Sequence, residues 1–140
     1  MSLDRVLVDT GPLVAILRPA VSEHLACVAQ IQRLRYPLFT SWPVLTEAAW
    51  LLRDQPDGVS KLLAQVAQGL VTPLDLELRS ATWVHDFLKK YRDLGAQLAD
   101  GSLCYLAERE QINTIFTLDR RDFRVYRNSA NSSFDLLPDA

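Results

Sequence analysis

The stretch from Val6 to Leu17, VLVDTGPLVAIL, decides the fold. Its unbroken aliphatic start is the pattern of a strand buried on both faces, as in a parallel sheet. The strand, read as Arg5–Asp9, ends on a carboxylate, and Gly11-Pro12 then turns the chain into a short apolar helix closing near Arg18-Pro19. Proline suits the first turn of a helix, where its missing N–H costs nothing. Strand, acid, helix in that order predicts a parallel strand that carries a carboxylate at its own carboxyl end.

The same grammar repeats outward. Ser22 is placed to cap a helix with Leu25, Val28, Ile31 and Leu34 at helical period, and residues 37–40 read as a second strand. A helix follows from Trp42-Pro43 to about Arg53. After the turn Gln55-Pro56-Asp57-Gly58, residues Val59, Leu62, Leu63 and Val66 mark another, ended by Gly69. Residues 70–74 form a third strand, and Asp75 is placed to cap a long helix reaching Tyr91. Residues 97–110 read as a helix, 114–118 as a strand rich in β-branched and aromatic side chains, and 134–137 as an edge strand. Residues 128–133 read as a flexible loop. Strands alternating with helices predict an α/β fold with a mainly parallel sheet covered by helices. The 140 residues are the size of one domain, read as 1–140.

Composition narrows the class. With 49% hydrophobic residues the chain supports a real core, so disorder is excluded as its main state. The apolar runs are too short to span a membrane, and Asp4-Arg5 stands where a signal peptide would be apolar, which predicts a cytoplasmic protein with no membrane partner. Cys27 and Cys104 are far apart and read as reduced packing residues; with only His24 and His85 beside them, zinc is disfavoured. A net charge of −2 argues against a general nucleic-acid coat while leaving room for a local basic patch.

Four acids stand where apolar side chains are expected: Asp9, Glu47 in SWPVLTEAAWLL, Asp100 in QLADGSLCYLAE and Asp119 in NTIFTLDRRDF. Asp9 and Asp119 end strands and so belong at one rim of the sheet. Asp100 shares a helical stripe with Leu103, Cys104 and Ala107, and Glu47 shares one with Val44, Ala48 and Leu51, which turns both toward the sheet. Burying unpaired carboxylates together costs several kcal/mol, so the set calls for a cation or for protonation. Convergent oxygen ligands suit Mg²⁺ or Mn²⁺, which activate water and need no nucleophilic side chain. Thr10, Ser102 and Thr117 neighbour the acids and are read as hydrogen-bonding partners of a carboxylate, water or phosphate. The plainer reading stays beside this one: an aspartate after a strand is a common cap, and a helical acid can snorkel to water.

At these residues the sequence resembles the PIN-domain family, and within it the VapC-type toxins of toxin–antitoxin pairs. The likeness runs over nearly the whole chain through VLVDTGPLVA, WPVLTEAAWLL, YRDLGAQLADGSLCYLAE and IFTLDRRDF. It implies a three-layer α/β/α sandwich and a Mg²⁺- or Mn²⁺-dependent ribonuclease, with Asp9, Glu47, Asp100 and Asp119 as catalytic metal ligands. It also implies an RNA substrate, a cognate antitoxin and a homodimer. Two positions depart from the pattern. Gln97 stands where many relatives carry an acid, and Gly101 stands where alanine is frequent, a change expected to loosen the helix by roughly 0.5–1 kcal/mol.

Arg120, Arg121, Arg124 and Arg127 interleave with Phe123 and Tyr126, and Lys89, Lys90 and Arg92 form a second cluster. Phosphate attraction with base stacking is the usual physics of single-stranded RNA binding, against the alternative of a solvated face. Asp122 reads as a cap, His85 as a packing residue, and Trp42, Trp50 and Trp83 as core. Two other functions compete with the ribonuclease: an interaction module of the same fold without turnover, and a phosphotransfer domain working through an aspartyl-phosphate.

Overall fold

A computed structural model describes residues 5–128 and 130–138. Strands β1 (Leu7–Val8), β2 (Leu38–Thr40), β3 (Val71–Pro73), β4 (Thr114–Phe116) and β5 (Asp135–Leu137) form one sheet in the order β3-β2-β1-β4-β5. Every pairing is parallel, with Leu7 opposite Phe39 on one side and Ile115 on the other. Leu7, Val8, Leu38, Ile115 and Phe116 are fully buried, as the aliphatic runs predict.

The strand order reverses direction at β1. From β1 the chain winds outward through β2 to β3, then crosses back to lay β4 and β5 on the other side. In such a sheet the connections after β1 and β4 leave in opposite directions and open a crevice between them at the carboxyl edge. Asp9 follows β1 and Asp119 lies just beyond β4, so the sequence places both acids at that crevice.

The helices are α1 (Thr10–Leu17), α2 (His24–Ile31), α3 (Trp42–Leu51), α4 (Gly58–Ala67), α5 (Ser80–Lys90), α6 (Leu98–Glu110) and α7 (Arg120–Phe123). Helix α1 packs on α2 and α3, α3 on α6, and α6 on α5. The α6 stripe Leu103, Cys104 and Ala107 is buried, as its period predicts. Both cysteines are free and buried. Among the described residues no helix is long and apolar enough to cross a membrane.

Several readings need correction. Ser22 bonds to Glu23 and does not cap α2; that helix turns Cys27 and Gln30 inward and leaves Leu25 78% exposed, and Leu34 is buried beyond its end. Asp75 caps nothing, because α5 begins only at Ser80. The intervening segment is held by Arg109, which donates to the Asp75 carbonyl and to Glu77. Residues 92–94 form a 3₁₀ turn, and α7 occupies the arginine-rich stretch. His85 is exposed beside Asp86, since Val84, Phe87 and Tyr91 take the inner face. Trp42 and Trp50 are 52% and 63% exposed, and only Trp83 is partly covered, stacked on Phe87. The loop at 128–133 is tied by Asn128, whose side-chain carbonyl accepts from the amides of Ala130 and Ser132; Ser129 lies outside the described residues.

Gly101 has a packing reason. A Cβ there would sit 2.8 Å from Val84 Cγ1 and 3.3 Å from Phe87 Cδ1, so the bare backbone lets α5 and α6 approach. The helix-propensity loss expected at this position is therefore set against contact between the two helices.

Candidate active site

Asp9 directly follows β1 and extends its pairing with β4, its N–H donating to the Phe116 carbonyl at 2.8 Å. Its side chain is 6% exposed and does not cap α1. Burial pushes its pKa up from 3.8 to about 7, opposed by the Thr10 amide and the Thr117 hydroxyl and raised further by the carboxylates of Asp100 and Glu47. The cap reading thus fails for Asp9, and desolvation makes its ionised form costly.

Thr117 joins the two strand-end acids. Its hydroxyl donates to Asp9 Oδ2 at 2.8 Å and accepts from the Asp119 N–H at 3.0 Å. Gly11 lets the two segments close up, for a Cβ there would meet Leu118 Cβ at 3.1 Å. Asp119 itself is exposed and caps α7, accepting from the Asp122 N–H at 3.3 Å. The capping residue is therefore Asp119, and Asp122 is the donor in that pair.

Glu47 and Asp100 arrive on helices fixed to each other. Ser41, directly after β2, caps α3 and shares a 2.7 Å hydrogen bond with Ser102 on α6. Ser102 also donates to the Ala99 carbonyl, so its hydroxyl is spent clamping α6 to α3, a correction to its reading as a partner of the acids. Glu47 is exposed at the rim: the buried face of α3 is Val44, Leu45 and Ala48, which turns Glu47 and Leu51 outward. Thr10 reaches across to hold it, donating to Oε1 at 2.6 Å.

Asp100 is half-buried. Its Oδ2 accepts from the Gln97 N–H at 3.0 Å, in a reciprocal capping box, and from the Tyr126 hydroxyl at 3.2 Å. Burial raises its pKa, these two donors lower it, and the charges of Asp119 and Glu47 raise it again. The spacing Gln97-x-x-Asp100 is a capping-box signature that was open to reading from sequence, whereas no local pattern points to Tyr126. Gln97 thus starts the helix that bears Asp100.

The structure brings Asp9, Glu47 and Asp100 into mutual electrostatic range and links Asp119 through Asp100. The oxygens stand apart, as like charges do: among the described residues no group of three His, Cys, Asp or Glu side chains is gathered into a cage that grips an ion. The flanking arginines divide. Arg121 and Arg124 are exposed, while Arg120 donates to the Pro138 carbonyl and keeps Nε buried. Phe123 and Tyr126 are wholly buried, which corrects their reading as base-stacking side chains.

A parallel sheet in this order, with acids gathered at the β1/β4 crevice, defines a PIN-like α/β protein. No protein-family model matches the chain. Over 135 residues, 95% of this chain and 100% of the relative, it is 27% identical to Ribonuclease VapC26 of Mycobacterium tuberculosis. The crystal structure of VapC20 from the same organism, a Sarcin-Ricin loop cleaving toxin, matches with a TM-score of 0.73 at 17% identity, covering 82% of this chain and 90% of that one. The chain is thus similar over nearly its whole length to a VapC ribonuclease and shares the fold of a VapC toxin.

Proposed function

We propose that the chain is a Mg²⁺- or Mn²⁺-dependent endoribonuclease, the toxin of a toxin–antitoxin pair, acting as a single domain in the cytoplasm. One observation carries the reading: a carboxylate buried at the sheet's switch point, with two more close enough to help push its pKa to about 7. A divalent cation offsets that cost, and a donor set made wholly of carboxylate oxygens suits a hard ion. Asp9 and Asp100 would hold it, joined by Glu47 and by Asp119 directly or through water. The ion, when bound, lowers the pKa of a water and stabilises charge on a phosphodiester.

The chain's own residues do the rest. Thr117 fixes Asp9 through Oδ2, and Thr10 fixes Glu47 through Oε1, so each carboxylate meets the crevice in a set orientation. Arg121 and Arg124, beside Asp119, attract RNA phosphates to an otherwise acidic rim. Arg120 serves instead to hold the C-terminal segment against α7.

Two partners follow from the VapC likeness: a cognate antitoxin that covers the acidic crevice, and a second copy of the chain. For the second copy the candidate face is a groove of about 600 Å³ lined by Trp42, Trp50, Leu98 and Glu47, apolar enough to demand cover. The test of function is cleavage of defined RNAs with and without Mn²⁺, comparing the parent with Asp100→Asn. Cleavage that needs the ion and the carboxylate supports the reading. Cleavage without either overturns it, and binding of RNA without cleavage returns the chain to the class of interaction modules.

A further inference from the structure

Tyr126 is the largest wholly buried side chain, and its ring packs against Phe87 and Tyr91 at 4.9 Å and Phe123 at 5.0 Å. Its place along the chain is pinned on both sides. The Tyr126 N–H donates to the Asp122 carbonyl at 3.1 Å, and the Arg127 N–H donates to the Tyr91 hydroxyl at 3.2 Å. A ring caged this way has one position for its hydroxyl. That hydroxyl reaches out of the aromatic cluster to Asp100 Oδ2, 26 residues away in sequence.

A site that needed only packing would take phenylalanine; a tyrosine hydroxyl in the interior requires a partner. Here the partner is a carboxylate at the crevice. Both donors to Asp100, the Gln97 N–H and the Tyr126 hydroxyl, fall on Oδ2, so neither of them occupies Oδ1. The two donors come from different elements, one from the start of α6 and one from the segment after α7. Together they fix the side chain in two directions, where the capping box alone would leave it free to swing about the helix start.

We infer that Tyr126 is a positioning residue of the site: its caged hydroxyl orients the Asp100 carboxylate toward the crevice. The inference rests on the metal-dependent reading given above. A hydrogen-bonding partner that holds a ligating carboxylate is typically worth 10- to 100-fold in metal affinity or activity.

The experiment uses the full chain, with Mn²⁺ alone as the calorimetric probe and a defined RNA for kinetics, in the parent, Tyr126→Phe, Phe87→Leu and Asp100→Asn. Tyr126→Phe keeps the ring and removes the hydroxyl. It should weaken Mn²⁺ binding about 10-fold and lower kcat by a similar factor, with KM for RNA unchanged. Phe87→Leu loosens the cage and leaves the hydroxyl in place, so it should weaken Mn²⁺ binding less than Tyr126→Phe does. Parent-like affinity and kcat in Tyr126→Phe, while Asp100→Asn loses both, overturn the role of Tyr126 alone. Equal losses in Phe87→Leu and Tyr126→Phe also overturn it, because packing then explains the effect. Parent-like Mn²⁺ binding and cleavage in Asp100→Asn would instead overturn the metal-site reading, and the role of Tyr126 with it.

Discussion

Replacing Asp9 by asparagine should stabilise the metal-free protein at pH 8 while removing its ability to cleave RNA. In the folded protein Asp9 titrates at about 7, against 3.8 for the ordinary carboxyl. The folded state therefore holds the Asp9 proton more tightly, and folding stability is lost as pH rises from about 4 to about 7. A rise of about 3 pKa units corresponds to roughly 4 kcal/mol against the ionised form above pH 7. Asparagine resembles the neutral acid and can still accept from Thr117, but its amide N–H groups need acceptors, which gives back about 1–2 kcal/mol. The net gain at pH 8 is about 2–3 kcal/mol, or roughly 7–10 °C in Tm for a chain of this size. Thermal unfolding in EDTA at pH 8 and at pH 4 measures it, and the gain should disappear at pH 4, where both side chains are neutral. A variant less stable than the parent by the same amount at both pH values would refute the claim that Asp9 is a desolvated, functionally retained charge.

Thr117→Val keeps the shape of a buried side chain and removes the donor to Asp9 Oδ2. Cleavage should fall about 10- to 100-fold. Because that bond favours the ionised form of Asp9, the acidic limb of the pH–rate profile should move to higher pH. Gly101→Ala should destabilise by about 1–2 kcal/mol in denaturant titrations, since the 2.8 Å approach to the stiff Val84 outweighs the gain in helix propensity. The proposed second copy predicts that the parent sediments as a dimer and Trp50→Asp as a monomer; a monomeric parent or a dimeric variant would remove the Trp42/Trp50 groove as the interface.

What could be read from the sequence was set by how local its cause is. The run Val6–Val8 followed by Asp9 carries its own meaning, since a strand buried on both faces has one way to present a terminal acid. The α6 stripe was legible too, because Asp100, Leu103, Cys104 and Ala107 form a clear period and the helix is buried along most of its length. Helix α3 misled because it is apolar nearly all round. With Trp42, Trp50 and Leu51 in the pattern, the stripe through Glu47 reads as the inner face, while the buried side is Val44, Leu45 and Ala48.

The arginine-rich stretch failed for a related reason. Phe123 and Tyr126 between arginines have the composition of an RNA-binding surface, yet Phe123 ends α7 on its buried side and the turn after it brings Tyr126 back against Phe123, so both rings are inside. Contacts across long sequence separations left no local mark at all. The Ser41–Ser102 clamp and the Tyr126–Asp100 bond exist only once α3, α6 and the segment after α7 are assembled at one edge.

In the proposed mechanism Asp9, Glu47, Asp100 and Asp119 surround one cation-binding position. Crystals soaked in Mn²⁺ and measured at a wavelength where manganese scatters anomalously test it most directly. An anomalous peak is expected in the crevice after β1 and β4, within ligand distance of Asp9 and Asp100, and it should vanish in Asp100→Asn. A peak confined to another part of the surface, or a crevice peak unaffected by Asp100→Asn, would contradict it.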